Sequence, residues 1–283
     1  MNIKVLKNQI FTGANARTSL LDVYYSEKAA KQPLIIFAHG FKGFKDWGTF
    51  PMIFNSIAKS GFTVISFNFS HNGGTVEEAI DFPDLDAFSK NTYSKELMDL
   101  DAVYDWAMKN EGNLFPKVKL DEINVMGHSR GGSMAVLHAV RNSSISKVAS
   151  WSAVADLLAR LPKENELKEW RNKRLRLINN SRTNQDMPQL YNFVEDLYRN
   201  QEMLNIHRQI SDLRIPQLIV HGTADETVSQ NDAKKMAEWN NKAELALIKG
   251  AGHTFGGKHP YNESELPIYT KEALEATLNF FKT

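Results

Sequence analysis

Short apolar runs recur along this chain, each ending in a glycine or a polar loop. Leu34-Ile35-Ile36-Phe37-Ala38 enters His39-Gly40, and Ile123, Val125 and Met126 enter Gly127. Phe62–Phe67, Lys147–Trp151, Gln217–His221 and Ala243–Ile248 complete the series. Runs without polar alternation suit strands buried on both faces of a parallel sheet. Between them the apolar period changes from strand-like to helical. Residues 51–60 read as a helix opened by Pro51 and stopped by Gly61. Leu97, Leu100, Tyr104 and Ala107 mark one face of a second, and Met134 to Leu137 follow a small-residue first turn in a third. Asp232 to Trp239 read as a fourth, and Leu274, Leu278 and Phe281 mark a closing one. Residues 3–26 read as two exposed strands joined by a turn at Thr12-Gly13-Ala14-Asn15. Strands alternating with helices predict an α/β fold, a mostly parallel central sheet with helices on both faces.

Residues 155–214 break the alternation. Lys163 to Arg176 is rich in Lys, Arg and Glu around Trp170, and Leu175 and Leu177 alternate with charges. Asn179-Asn180-Ser181 reads as a turn, and Pro188 as the opening of a helix with Leu190, Tyr191, Val194, Leu197 and Tyr198 on its apolar face. This segment is expected to be an insertion in a single domain spanning 1–283. Ligands of such sheets bind at the carboxyl ends of the strands, so the insertion is read as a lid over that end.

Composition narrows the chemistry. The 283 residues contain no cysteine, so a thiol nucleophile, a disulfide and a Cys-ligated metal are excluded. A formal net charge of +1 gives no field that favours nucleic acid or an anionic membrane. No run of about 18 apolar residues occurs, and the first residues lack an apolar signal core, so a soluble, cytoplasmic protein is expected. His138, His207, His221 and His259 show no metal-ligand spacing and there is no His-Glu-x-x-His run, so neither metal nor cofactor is expected.

Gly127-His128-Ser129-Arg130-Gly131 lies where a strand meets a helix. A Gly-x-Ser-x-Gly turn at such a junction lifts a serine hydroxyl to the top of a sheet. Serine is a poor nucleophile until a base takes its proton, and that base needs a partner to fix its tautomer. In this arrangement the acid and then the histidine follow the serine along the chain. The run Leu218–His221 leads into Gly222-Thr223-Ala224-Asp225, and Ala243–Ile248 leads into Gly250-Ala251-Gly252-His253. Both loops are expected at the same end of the sheet as Ser129. Glu226 and Asp156 are the rival acids.

His39-Gly40-Phe41, Gly127–Gly131, His221–Asp225 and Gly250–His253 together resemble the four motifs of the α/β-hydrolase superfamily. The likeness covers the chain apart from the insertion. It points to the dienelactone-hydrolase and prolyl-oligopeptidase-like branch, with small feruloyl and cinnamoyl esterases. His39 to Asp46 is similar to the first loop of those esterases. The chain departs from dienelactone hydrolases, whose nucleophile is cysteine, and is too short to carry the β-propeller of prolyl oligopeptidases. The resemblance therefore implies a serine carboxylesterase acting on a small-molecule ester. Ser129 becomes the nucleophile, His253 the general base and Asp225 the orienting acid. The backbone N–H groups of Phe41 and Arg130 form the oxyanion hole. Phe44, Trp47, His71, Trp151 and Phe255 are the candidate pocket residues, and His39 is expected to hold the first loop. A peptidase or acylaminoacyl-type hydrolase remains an alternative, as does a non-catalytic binding protein on the same fold.

Overall fold

The computed structural model describes residues 2–28, 31–112 and 118–283. In chain order the elements begin with β1 (Ile3–Thr12), β2 (Thr18–Ser26), β3 (Gln32–Ala38), α1 (Phe50–Lys59) and β4 (Thr63–Phe67). They continue with α2 (Leu85–Ser89), α3 (Tyr93–Lys109), β5 (Val118–His128), α4 (Arg130–Arg141) and β6 (Ile145–Trp151). Next come α5 (Glu164–Lys173), β7 (Leu175–Asn180), β8 (Gln185–Leu190), α6 (Asn192–Arg199) and α7 (Ile206–Ile210). The chain closes with β9 (Gln217–Gly222), α8 (Gln230–Trp239), β10 (Ala243–Ile248) and α9 (Ile268–Lys282).

The central sheet runs β1-β2-β4-β3-β5-β6-β9-β10. β1 and β2 are antiparallel to their neighbours, and every pairing from β4 onward is parallel. β3 shows why the continuous apolar runs are needed. Leu34, Ile36 and Ala38 pack into the core with Leu97 and Leu100 of α3 and Met134 and Val136 of α4. Ile35 and Phe37 face the other way, onto Phe50, Ile53 and Phe54 of α1 and Phe280 and Phe281 of α9. A period-two strand with apolar residues on both faces thus supplies both helical layers. Each fully buried side chain, Phe54 for example, contributes roughly 1.5–3 kcal/mol. Side chains also set helix starts: Asp84 Oδ1 accepts from Ala87 N–H at 2.9 Å and Thr92 Oγ1 from Lys95 N–H at 3.3 Å.

Two expectations need correction. β2 is not an exposed strand: it is buried from Ser19 to Ser26, because β1 and β4 flank it and α1 packs on it. Pro188 does not open a helix. It lies inside β8 opposite Leu177 of β7, and α6 begins at Asn192. A two-stranded ribbon has only edge strands, so a residue without an N–H is tolerated with its donor side outward.

The segment between β6 and β9 is the irregular one. Within it, Trp170 is buried, donates its indole N–H to the Gln189 carbonyl at 2.9 Å and stacks on Phe193. Phe193 in turn meets Tyr93 of α3, with ring centres 4.7 Å apart. Met187 of β8 packs with Phe82 and Phe88, next to Phe41 in the loop after β3. The segment therefore lies against the loop at the carboxyl end of β3.

Candidate active site

The turn from β5 into α4 holds Ser129 in a backbone conformation that L-residues avoid, φ 56° and ψ −125°. Such strain persists only where the surroundings impose it. Here the Ser129 N–H donates to the Trp151 carbonyl at 2.8 Å, and its own carbonyl accepts from Gly132 and Ser133. A Cβ on Gly131 would run into the carbonyls of Ala38 and His39, and one on Gly127 into that of Gly131. The helix can therefore approach β3 only as glycine. A Cβ on Gly40 would lie 3.0 Å from the Ser129 Cβ, so the first loop is drawn equally close to the turn.

His253 and Asp225 arrive on the loops after β10 and β9. Those loops are laced together by Thr223 N–H to the Ile248 carbonyl at 3.0 Å and Ala224 N–H to the Ala251 carbonyl at 2.9 Å. His253 Nδ1 donates to Asp225 Oδ2 at 2.8 Å, which leaves Nε2 as the basic nitrogen of the ring. The Asp225 side chain is fully buried. Its Oδ1 accepts from the N–H groups of Thr227 and Val228, each at 2.9 Å. Burial alone raises the Asp225 pKa. The His253 hydrogen bond, the Val228 N–H and the His253 charge outweigh it, so the carboxyl stays far below its ordinary range. His221 Nε2 donates to the Val228 carbonyl at 2.9 Å and braces the same loop. The rival acids lie elsewhere: Asp156 accepts from Leu158 and Ala159 N–H in its own turn, and Glu226 is exposed.

Ser129 and His253 line one cavity of about 110 Å³ with Phe41, Trp47, Phe50 and His128. Among the described residues, the backbone N–H groups of Phe41 and Arg130 donate to no protein acceptor. His39 secures the Phe41 loop: Nδ1 donates to the Gly40 carbonyl at 2.8 Å, and Nε2 accepts from Phe69 N–H at 3.2 Å. That pairing needs a neutral ring, and burial lowers the His39 pKa to about 4. His128 Nε2 donates to the His253 carbonyl at 2.8 Å. Burial, then the neighbouring His253 charge, lowers the His128 pKa to about 3.

Of the five predicted pocket residues, only Trp47 is on the cavity wall. Phe44 is buried behind it against His259, with ring centres 4.9 Å apart. Trp151 and Phe255 belong to the core, their rings 5.2 Å apart, and Trp151 donates to Thr277 Oγ1 at 2.9 Å. His71 is buried off the wall, its Nδ1 2.8 Å from Ser70 Oγ. Phe50 and His128 also lie on the wall, outside the five residues expected there. Phe50 follows the same loop that placed Trp47, and His128 adjoins Ser129. A larger groove of about 670 Å³ between α1 and α9 holds none of the predicted site residues. Among the described residues, no group of three or more His, Asp or Glu is placed to share a metal ion, and no helix is long and apolar enough to cross a membrane.

The BD-FAE family model matches residues 21–240. Est1E from Butyrivibrio proteoclasticus, solved with bound ferulic acid, is similar at 19% identity over 97% of this chain and 100% of that one, with a TM-score of 0.71. The esterase domain of a Rhodothermus marinus protein is 18% identical over 89% and 90% of the two chains, TM-score 0.57. The alpha/beta hydrolase GrgF from Penicillium sp. sh18 is 14% identical over 100% and 98%, TM-score 0.68. No curated protein matches the sequence. At these identities the likeness establishes a common fold, the α/β-hydrolase fold.

Proposed function

The chain belongs to the BD-FAE family, and on that footing we propose that it is a serine hydrolase that cleaves carboxylic esters through an acyl-enzyme on Ser129. One observation carries the reading: His253, hydrogen-bonded at 2.8 Å to the buried carboxylate of Asp225, shares its cavity with the strained Ser129.

In this mechanism His253 Nε2 takes the Ser129 proton as Oγ attacks the ester carbonyl. The imidazolium that forms is stabilised by Asp225. Negative charge moves to the former carbonyl oxygen, where the N–H groups of Phe41 and Arg130 receive it. Each such donor contributes on the order of 3 kcal/mol in the transition state. The tetrahedral intermediate collapses, the C–O bond breaks, and the alcohol leaves with the proton from His253. Water then enters by the same route and releases the carboxylic acid. Phe41, Trp47 and Phe50 give the cavity aromatic walls, which suit a planar acyl group such as that of the acid held by Est1E. The insertion acts as a cap on this face.

Ser129→Ala is expected to abolish hydrolysis of short p-nitrophenyl esters while the melting curve stays that of the parent. A fluorophosphonate should label the parent at Ser129 and leave the variant unlabelled. Wild-type turnover by Ser129→Ala, or an adduct at another residue, overturns the mechanism.

A further inference from the structure

The side chain of Arg130 has no part in the chemistry just described, where only its backbone N–H is used. Yet it is held at the junction of four chain segments. Its guanidinium carbon lies 4.1 Å from the ring centre of Phe41, 5.0 Å from Tyr93 and 5.4 Å from Phe193. Its Nη1 donates to Glu96 Oε1 at 3.2 Å, and the two side chains are 12% and 3% exposed. The same Glu96 Oε1 also accepts from Asn91 Nδ2 at 2.8 Å. Tyr93 and Glu96 belong to α3 and Phe193 to the insertion helix α6, which is also tied to α3 by Ser94 N–H to Asp196 Oδ2 at 3.2 Å. Phe41 carries the other proposed oxyanion donor. The side chain of one donor residue therefore lies on the ring of the other, and the same cation touches the insertion.

We propose that the Arg130 side chain is a positioning residue that sets the spacing of the two oxyanion donors and makes it depend on how the insertion is seated. This rests on the reading of Ser129, Phe41 and Arg130 given above. The physical basis is shape as much as charge. A planar guanidinium can stack on aromatic faces while its edge stays hydrogen-bonded to a carboxylate, which a lysine ammonium cannot do in the same way. The donors act on an oxygen that becomes charged only in the transition state. A loosened clamp should therefore slow turnover without weakening substrate binding. A purely structural role would lower the melting temperature without this separation.

The test is a double-mutant cycle on ester hydrolysis with Arg130→Met and Phe193→Leu. Arg130→Met keeps the backbone N–H and is expected to lower kcat by roughly ten- to a hundredfold with KM unchanged, the scale of a displaced catalytic group. Phe193→Leu should lower kcat by less, and should have no further effect in the Arg130→Met background. Arg130→Lys should recover part of the loss. Should Arg130→Met fail to fold, Arg130→Lys and Phe193→Leu run the same cycle. Wild-type kcat in Arg130→Met, a loss confined to KM, or independent multiplicative effects overturns the positioning role while leaving the proposed function intact. Absence of both ester turnover and Ser129 labelling in the parent overturns the two together.

Discussion

At the scale of single residues, the hydrogen bond between His253 and Asp225 decides which nitrogen carries the proton. Asp225 is acceptor-only and receives Nδ1–H, so Nε2 keeps its lone pair. An amide at this position can turn its NH₂ toward the ring and favour the opposite tautomer, with the proton on Nε2. Asp225→Asn should therefore lower kcat on a short p-nitrophenyl ester by about 10³–10⁴ with little change in fold. Asp156→Asn should leave kcat near the parent value, since Asp156 only caps its own turn. The reverse pattern in steady-state assays would move the acid to Asp156. That Ser129, Asp225 and His253 come together at one end of the sheet was legible in the sequence, because each follows an apolar run that enters a glycine-bearing loop. The wall of the cavity was not. Aromatic residues near a loop in sequence can fall on either side of it, and Phe44, Trp151 and Phe255 turn into the core. Phe50 reads in the sequence as one more apolar position beside a helix start, yet it also reaches the cavity.

Between elements, the contact that matters most is the start of α4 against the end of β3. Gly131 faces the carbonyl of Ala38, the last residue of β3, and that of His39 just beyond it, both backbone atoms at the paired end of the strand. Gly132 instead meets the Ala153 Cβ and the Gly127 carbonyl, each at 3.0 Å, where small adjustments suffice. Gly131→Ala is thus expected to cost about 3 kcal/mol or more, and Gly132→Ala distinctly less. In thermal melts this corresponds to a fall of about 5 °C or more for Gly131→Ala. Equal melting temperatures for the two variants would refute the packing argument. The parallel strands and the helices between them could be read from periodicity, because burial on both faces leaves a continuous apolar signature. β2 and β8 could not. Exposure of β2 is set by its neighbours, β1 and β4, and pairing beyond the local sequence is invisible to a periodic count. Pro188 signals a helix start by local preference, but the partner strand opposite it at Leu177 overrides that preference.

For the molecule as a whole, buried ionisable groups near the carboxyl end of the sheet tie stability to pH. Burial lowers the pKa of His39 to about 4, of His71 to about 4 and of His128 to about 3, from an ordinary value of 6.5. Between those values the unfolded chain binds protons that the folded chain refuses. Stability from these rings is complete above about pH 6.5 and is lost as pH falls toward 4. For His39 alone the loss is on the order of 3 kcal/mol. Asp99 works in the opposite sense. Its carboxyl accepts from Ala14 N–H, Ser70 N–H and Ser70 Oγ, yet burial raises its pKa from 3.8 to about 7. The folded chain therefore keeps a proton there that the unfolded chain releases, and stability from this group is gained as pH falls from about 7 to 4. Three histidines outweigh two carboxyls, Asp99 and Glu96, whose pKa burial also raises, so the melting temperature should decline from pH 7 to pH 4.5. His39→Gln retains a donor and an acceptor for Gly40 and Phe69 but cannot titrate, so its decline should be shallower than the parent's. Asp99→Asn removes one opposing group and should be steeper. A His39→Gln slope equal to the parent's would mean that His39 is charged in the folded protein, which its acceptor role toward Phe69 N–H forbids.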